Sequence, residues 1–141
     1  MGTRRIAREN ALKVLYQMDL TGQRPSEALA AFWEEHGATR EVRDFAEELV
    51  MGVTGGIAGI DELITGHSTN WKLSRMAAVD KNILRVAVYE IMNCRDIPVK
   101  VTINEAVEIA KKFGSAESGS FVNGVLDNVA KGFKREAGQD A

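Results

Sequence analysis

The sequence contains one cysteine and two prolines in 141 residues. Because Cys94 has no second cysteine to pair with, the chain cannot form an intrachain disulfide or build a thiolate zinc site of its own. Its place at the end of an apolar segment predicts a small packed side chain. Pro25 and Pro98 lie far apart, so long segments are free to be helical. No segment shows strand-like alternation of useful length, and no repeat indicates a solenoid.

The sequence also lacks a hydrophobic run long enough to span a bilayer, and no apolar segment follows the arginines near its start. These absences predict a cytoplasmic protein without membrane contact. The net charge of −2 favours no class of partner. The charges are unevenly placed, however, because arginines cluster near the N-terminus while acidic residues fill the stretch from Glu34 to Glu48.

The residue types that enzymes use are not grouped in this sequence. The two histidines, His36 and His67, have no neighbouring ligands at metal-binding spacing, and there is neither a Walker lysine nor a G-x-S-x-G motif. The glycines from Gly52 to Gly59 do not form a dinucleotide fingerprint, because they follow a predicted helix rather than a strand. They are predicted instead to break the chain and to let helices cross closely. We therefore predict no enzymatic activity, no catalytic residue, no metal and no cofactor.

What the sequence does contain is a strongly apolar segment from Met76 to Met92. Its apolar residues recur with the i, i+3, i+4, i+7 spacing of a helix that has one wide buried face. Such a face needs other helices to cover it, so we predict a central helix in an all-helical domain. The polar residues within the segment are predicted to form a narrow edge, and they are Asp80, Lys81, Arg85 and Glu90.

Start and stop signals divide the remaining chain into six further helices. The predicted helices are Thr3–Leu20 capped by Thr3, Pro25–His36, one capped by Thr39, a short one over Ile57–Ile64, one opened by a Thr102–Glu105 capping box and ended by Gly114, and Ser118–Lys131. Trp71 and Leu73 are predicted to anchor the loop before the central helix. The pattern predicts an all-α protein, a single compact domain of about seven helices.

Three arginines, Arg4, Arg5 and Arg8, fall in the first turns of the first predicted helix, and their side chains are expected to project into solvent. Cations are unfavourable there, because a helix N-terminus already carries partial positive charge. Phosphate binding would explain them, and a solvated, frayed basic terminus is the alternative. Single-stranded RNA recognition combines such cations with aromatic faces. Further residues of both types occur along the chain, namely Lys111, Lys112, Lys131, Lys134 and Arg135 with Tyr16, Phe113 and Phe121.

Four blocks of sequence strongly resemble the NusB family. They are R-R-x-A-R-E-x-A-x-x-x-L-Y-Q from Arg4, V-D-K-N-I-L-R-V-A-V-Y-E-I from Val79, D-I-P-V-K-V-T-I-N-E-A-V-E-I-A-K-K-F-G from Asp96, and F-V-N-G-V-L-D from Phe121. The resemblance implies a bacterial transcription antitermination factor that binds single-stranded boxA RNA together with NusE, a small-subunit ribosomal protein. It further implies that the protein acts within an RNA polymerase antitermination complex that reads through terminators, notably in ribosomal RNA operons.

The resemblance also implies which residues form the sites. It places RNA contacts on Arg4, Arg5, Arg8, Tyr16 and Phe121, with Glu117 bordering the same loop, and it places Asp80 on the NusE-facing side. Residues 1–134 would be the helical RNA-binding domain and residues 135–141 a flexible tail.

One residue departs from the family pattern. Ser120 stands where family members often carry a lysine, which removes a basic contact. Asn123 and Gly124 are expected to serve close helix packing. Two alternatives remain: an interaction module, including a homodimer that covers the RNA surface, and the RNA-binding domain of an RNA methyltransferase. We disfavour the second because no Rossmann-like half follows.

Overall fold

Seven α-helices make up most of the described chain, which comprises residues 2–68 and 72–137 of a computed structural model. Together they form a single domain, as predicted, and no strand occurs within these residues. Trp71 and residues 138–141 lie outside the described residues. The helices are α1 Thr3–Thr21, α2 Pro25–Glu35, α3 Arg40–Gly55, α4 Ile57–Gly66, α5 Ala78–Asn93, α6 Val99–Phe113 and α7 Ser118–Ala137, with a 3-10 turn over Leu73–Arg75 before α5.

Helix α5 lies at the centre and packs against α1, α3, α4, α6 and α7. Its apolar face is buried over Ile83, Leu84 and Val88, which confirms the prediction of a central helix. The predicted polar edge is wrong for Arg85 and Glu90, because both are buried. A buried charge is costly unless it is paired, and each of these two side chains has an oppositely charged partner on another helix.

Two predicted helix ends are confirmed by their backbone geometry. Gly22 ends α1 with a φ of 74°, a left-handed conformation that only glycine adopts without steric cost. Thr39 caps α3, since its hydroxyl oxygen accepts a hydrogen bond of 3.3 Å from the Val42 N–H. Thr3 is not a cap. It is the first residue of α1, and Gly2 precedes it at the N-cap position.

The predicted capping box at Thr102–Glu105 is wrong. Helix α6 begins at Val99, directly after Pro98, so both side chains lie inside the helix. Both side chains contact other helices instead, Thr102 binding Glu90 of α5 and Glu105 binding Arg5 of α1. The predicted end of α7 at Lys131 is also wrong, because the helix continues through Gly132 to Ala137. Gly132 packs close to His67, where a Cβ atom would lie 3.1 Å from its Nε2. The boundary predicted after residue 134 therefore falls inside a helix.

Glycine allows α3 and α5 to cross closely at one point. A Cβ atom added to Gly52 would overlap the ring of Tyr89, so only glycine fits there without displacing that ring. This confirms the close approach predicted for the glycine-rich segment. The corresponding prediction for Gly124 is wrong, because an added Cβ would meet nothing within 4 Å and Asn123 beside it is exposed.

Burial also explains the single cysteine. Cys94 is buried at the end of α5, as predicted. Burial, reinforced by Glu48, raises the pKa of its thiol to about 12, so the reactive thiolate is scarce at neutral pH.

No single described helix is both long enough and apolar enough to cross a bilayer; α3 and α4 reach that length only as a pair bent by 78°.

Ion pairs define how the first helix lies in the bundle. Arg5 pairs with Glu105 and Glu9 pairs with Lys112, so ion pairs between long side chains link α1 to α6, and the two helices run in the same direction. The backbone of α1 packs mainly against α3 and α5. Asp19 and Asn82 are hydrogen-bonded at the other end of α1, where α5 begins. Helix α1 is therefore antiparallel to α5 and parallel to α6, with its N-terminus beside the α5–α6 connection.

Candidate nucleic-acid interface

The three N-terminal arginines lie on one side of α1, because Arg8 follows Arg4 by four residues and Arg5 by three, spacings at which helical side chains are neighbours. That side faces α5 and α6, and each arginine has a carboxylate partner there. Arg4, whose side chain is 50% exposed, lies 3.3 Å from Asp96 and stacks over the ring of Phe45 at 4.8 Å. We call Arg4 and Arg5 with their partners Asp96 and Glu105 the arginine face.

Arg5 is held by Glu105 in a two-pronged ion pair. Its Nε and Nη2 donate to the two carboxylate oxygens at 2.6 and 2.8 Å, and its side chain remains 33% exposed. These bonds hold the pKa of the Glu105 carboxyl below its usual value and raise the pKa of Arg5. The Nη1 amine is left out of this pair, so Arg5 retains donors for an anion while Glu105 fixes its orientation.

Arg8 differs from the other two because it is only 5% exposed. Its Nε and Nη2 donate to Glu90 at 2.6 and 2.9 Å, and the Thr102 hydroxyl donates to the same carboxylate at 3.0 Å. Glu105 lies 3.8 Å away. The expectation that all three arginines project into solvent is therefore wrong for Arg8, whose charge is already neutralised inside the bundle. Arg8 holds α1 against α5 and α6.

Beyond the arginines, α1 forms one wall of a groove whose other wall is α2. This α1–α2 groove is lined by Lys13, Tyr16, Gln17, Phe32, His36 and Phe113. Tyr16 is 38% exposed, which satisfies the accessibility that its predicted role requires. The ammonium groups of Lys13 and Lys112 lie 5.8 and 5.3 Å from the centre of the Phe113 ring, so cationic and aromatic groups are adjacent here.

A second recess lies between the start of α5 and the start of α7. This α5–α7 cleft is lined by Arg75, Asp80, Glu117 and Phe121 among others. It brings together Asp80, predicted to face NusE, and the two residues predicted to border RNA. The Asp80 Oδ1 atom is buried without a hydrogen-bond partner among the described residues. Because Val79 lines the groove and Asp80 the cleft, the two recesses are neighbours.

A tight connection between α6 and α7 positions Phe121 and Glu117. A Cβ atom at Gly114 would collide with the Ser118 side chain and lie 2.8 Å from the Ala110 carbonyl oxygen. The Ser118 hydroxyl oxygen accepts the Ser115 N–H at 2.9 Å, which closes the turn. Ser120, in the place of the family's lysine, is exposed and supplies no charge.

The remaining basic residues do not gather into one patch. Lys111 pairs with Glu108 on its own helix, whereas Lys112 reaches Glu9 on α1. Lys131 is exposed on α7, and the side chains of Lys134 and Arg135 lie outside the described residues. Cations and predicted aromatic residues therefore meet in the groove, where Lys13 and Lys112 flank Phe113, and in the cleft, which Arg75 and Phe121 both line.

Sequence reasoning missed the carboxylates that organise the arginines. Glu90 stands within the apolar spacing of the central helix, and a charge at such a position requires a buried partner. That signal was available, but Arg8 could not be chosen as the partner without the fold. Glu105 was hidden because its capping-box pattern offered a local explanation. The α2 wall of the groove, with Phe32 and His36, gave no signal beyond helical periodicity.

Comparison with known proteins assigns the chain to a family. Its sequence matches the NusB family over residues 5–131. The chain belongs to the NusB family. The transcription antitermination protein NusB of Anaeromyxobacter dehalogenans strain 2CP-1 is 54% identical over 127 residues, which are 89% of each chain. The protein of the same name from Sorangium cellulosum is 46% identical over 135 residues, 96% of each chain.

Solved NusB structures share the fold. A structure of T. maritima NusB superposes with a TM-score of 0.84 at 36% identity and covers 93% of this chain and 92% of its own. A chain in a structure of antitermination factors NusB and NusE in complex with dsRNA superposes with a TM-score of 0.85 at 31% identity, covering 94% of this chain and 98% of its own.

Proposed function

We propose that this protein is a transcription antitermination factor that binds boxA RNA together with NusE. The observation that carries the proposal is its membership of the NusB family over nearly the whole chain. A relative of the same fold forms a complex with NusE and RNA, which supports both classes of partner. In this role the protein is an adaptor rather than an enzyme, it acts in the cytoplasm, and it joins an RNA polymerase antitermination complex.

Arg4 and Arg5 are the proposed phosphate contacts. Both are accessible, and the Arg5 guanidinium keeps donors outside its pair with Glu105. Arg8 acts on RNA only through the position of α1, because its guanidinium is enclosed. Residues 1–134 are the proposed RNA-binding domain, with the tail from residue 135 to 141 outside it.

Tyr16 and Phe121 are the proposed aromatic contacts for unstacked bases. Tyr16 is accessible in the α1–α2 groove, and Phe121 lies half-buried in the neighbouring α5–α7 cleft. Glu117 borders the same cleft. Asp80 is the proposed NusE-facing residue, and its position beside Phe121 implies that RNA and NusE would meet near this cleft.

Binding of boxA RNA should be compared with binding of a scrambled RNA of equal length, at fixed salt, with and without NusE. The proposal expects a preference for boxA that NusE strengthens. Including the single-stranded and the duplex form of each RNA shows which form is bound. Equal binding of boxA and scrambled RNA in the presence of NusE would overturn the proposal.

The same samples test the competing interpretation of an interaction module. If the protein forms a homodimer that covers the arginine face, its mass in solution is twice that of one chain, and added RNA converts the dimer into a monomer complex. Arg5→Ala should then weaken RNA binding. Arg24→Ala should not, because Arg24 is exposed and its only described partner is Glu27, three residues further along the chain. Equal effects of the two variants would count against the arginine face.

A further inference from the structure

The α2 wall of the α1–α2 groove carries a stack of aromatic rings that the proposed function does not use. The His36 ring lies parallel to Phe32, with a centroid distance of 4.1 Å and an angle of 15°. Phe32 in turn meets Trp33 edge to face at 5.2 Å. The Trp33 indole N–H donates to Glu47 of α3 at 2.9 Å. The stack is thus anchored to a neighbouring helix and held in place before any ligand arrives.

His36 is the outermost ring of this stack and is exposed. Its Nδ1 lies 3.1 Å from the Phe32 carbonyl oxygen, which can only accept a hydrogen bond. Nδ1 therefore carries the proton, and Nε2 of the neutral ring is left as an acceptor. The ring face turned away from Phe32 is free for a further planar group, and one edge can accept a hydrogen bond from that group.

The opposite wall of the groove carries positive charge. Lys13 of α1 is exposed, and both its ammonium and that of Lys112 lie within 6 Å of the Phe113 ring centre. The groove therefore has ammonium groups on one wall, and aromatic rings together with the Glu35 carboxylate on the other. A nucleotide is complementary to this arrangement, because its anionic phosphate can lie near the ammonium groups and its flat, uncharged base can stack on an aromatic ring.

We propose that the α1–α2 groove is a second RNA subsite, in which a base stacks on His36 while the adjoining phosphate lies near Lys13. The inference rests on the proposed function, because the occupant is the continuation of the strand bound at the arginine face. Arg5, Lys13 and Tyr16 all lie on α1, and Tyr16 itself lines the groove, so the two surfaces are continuous.

Glu35 supports a base rather than a phosphate on the α2 wall. This exposed carboxylate lines the groove beside His36 and would repel a phosphate. It can instead accept a hydrogen bond from an exocyclic amino group of a base, as carboxylates do with cytosine. Gln17 and Gln23 add amide donors and acceptors to the same groove. The subsite thus offers stacking together with polar contacts to a base edge.

The test uses boxA RNA and the same RNA extended by a short oligocytidine tail at its 5′ or 3′ end, because cytosine carries an exocyclic amino group from which Glu35 can accept a hydrogen bond. In the wild-type protein one of the two tails should strengthen binding. His36→Ala should abolish that gain, which is about fivefold or more for one stacked base, and leave binding of the untailed RNA unchanged. His36→Tyr should retain the gain because it keeps a planar ring.

Glu34→Ala is the matched control, because Glu34 is exposed on the same helix but does not line the groove. Glu34→Ala should change neither the affinity for the tailed RNA nor the affinity for the untailed RNA. Arg5→Ala should weaken the tailed and the untailed RNA alike. That pattern would separate the groove from the arginine face.

Three results would overturn the subsite. The first is that neither tail strengthens RNA binding. The second is that His36→Ala keeps the full gain in affinity from the tail. The third is that His36→Ala changes only the mass of the protein in solution, which would make the groove a contact between copies of the chain. Failure of the proposed function looks different, because boxA and scrambled RNA would then bind equally. In that event the subsite stands if His36→Ala removes the tail's gain on the scrambled RNA, and falls if it does not.

Discussion

At the scale of single residues, Arg8 shows how far a charged side chain can differ from its neighbours in sequence. Arg4 and Arg5 reach solvent, but Arg8 lies inside the bundle and is satisfied by Glu90. Reversing the charge of all three would therefore test two properties at once, RNA binding and folding. Single substitutions separate the two.

Arg8→Ala should destabilise the protein by about 3–5 kcal/mol, because it leaves the buried Glu90 carboxylate without its ionic partner. Urea unfolding at neutral pH measures this loss. Arg4→Ala is the control, since an exposed pair is worth about 0–1 kcal/mol. A double change of Arg8 to Met and Glu90 to Leu should recover much of the stability, because it removes both buried charges. A loss below about 1 kcal/mol for Arg8→Ala would contradict the buried pair.

Two glycines provide a matched pair of residues with opposite expectations. Gly52→Ala should cost about 1–3 kcal/mol, because the added methyl group would displace the Tyr89 ring. Gly124→Ala should instead stabilise the protein by about 0.5–1 kcal/mol, since the site is open and alanine favours a helix. Thermal or urea unfolding of the two variants compares them directly. Similar changes in both would show that helix propensity, rather than the α3–α5 crossing, determines the effect.

At the scale of helices, the pair Arg5–Glu105 links α1 to α6 in a way that depends on pH. The folded-state pKa of Glu105 lies below its ordinary value of 4.5. Its contribution to stability is therefore complete above about pH 4.5 and is lost as the pH falls through the folded-state pKa. We expect the stability difference between the wild type and Glu105→Gln to be largest near neutral pH and to shrink on acidification. A difference that stays constant from pH 7 to about pH 3 would contradict the assignment.

Helix order and the central helix were predictable because they depend on local signals. Gly22 and Pro25 act through their own backbone, and Thr39 acts through a hydrogen bond that its hydroxyl oxygen accepts from an N–H three residues on. The spacing of Ile83, Leu84 and Val88 reflects burial on one face. The resemblance to the family also identified Arg4, Arg5 and Tyr16 as candidates, and these side chains are accessible.

The errors at Arg8, Thr102 and Glu105 share one physical cause, which is contact with residues on other helices. Thr102 and Glu105 have the pattern of a capping box, but their side chains bind Glu90 and Arg5 instead. Arg8 has the sequence context of an exposed arginine, but the packing of three helices encloses it. No local pattern contains that information, because Glu90 lies 82 residues from Arg8 and Glu105 lies 100 residues from Arg5.

At the scale of the whole molecule, the structure changes the expected electrostatics of RNA binding. Three phosphate contacts from the arginines would contribute about −2 to the slope of log K against log salt, whereas two contribute about −1.4. Because Arg8 is enclosed, removing Arg4 and Arg5 together should reduce the magnitude of the slope by about 1.4. Titrations of one RNA at several salt concentrations measure it. An unchanged slope in the double variant would mean that the phosphates lie elsewhere.

The ion pairs that link α1 to α6 also have a consequence for the time at which the protein becomes able to bind RNA. The first helix to leave the ribosome carries the arginines, but Glu90, Thr102 and Glu105, which orient them, are translated much later. At about 5–20 residues per second, the interval is roughly 5–20 s. During synthesis the arginines of α1 therefore have no ion-pair partners until these later residues have been translated. A nascent chain would acquire its arginine face only near the end of translation, so RNA capture at that face would mark a chain whose fold is already complete.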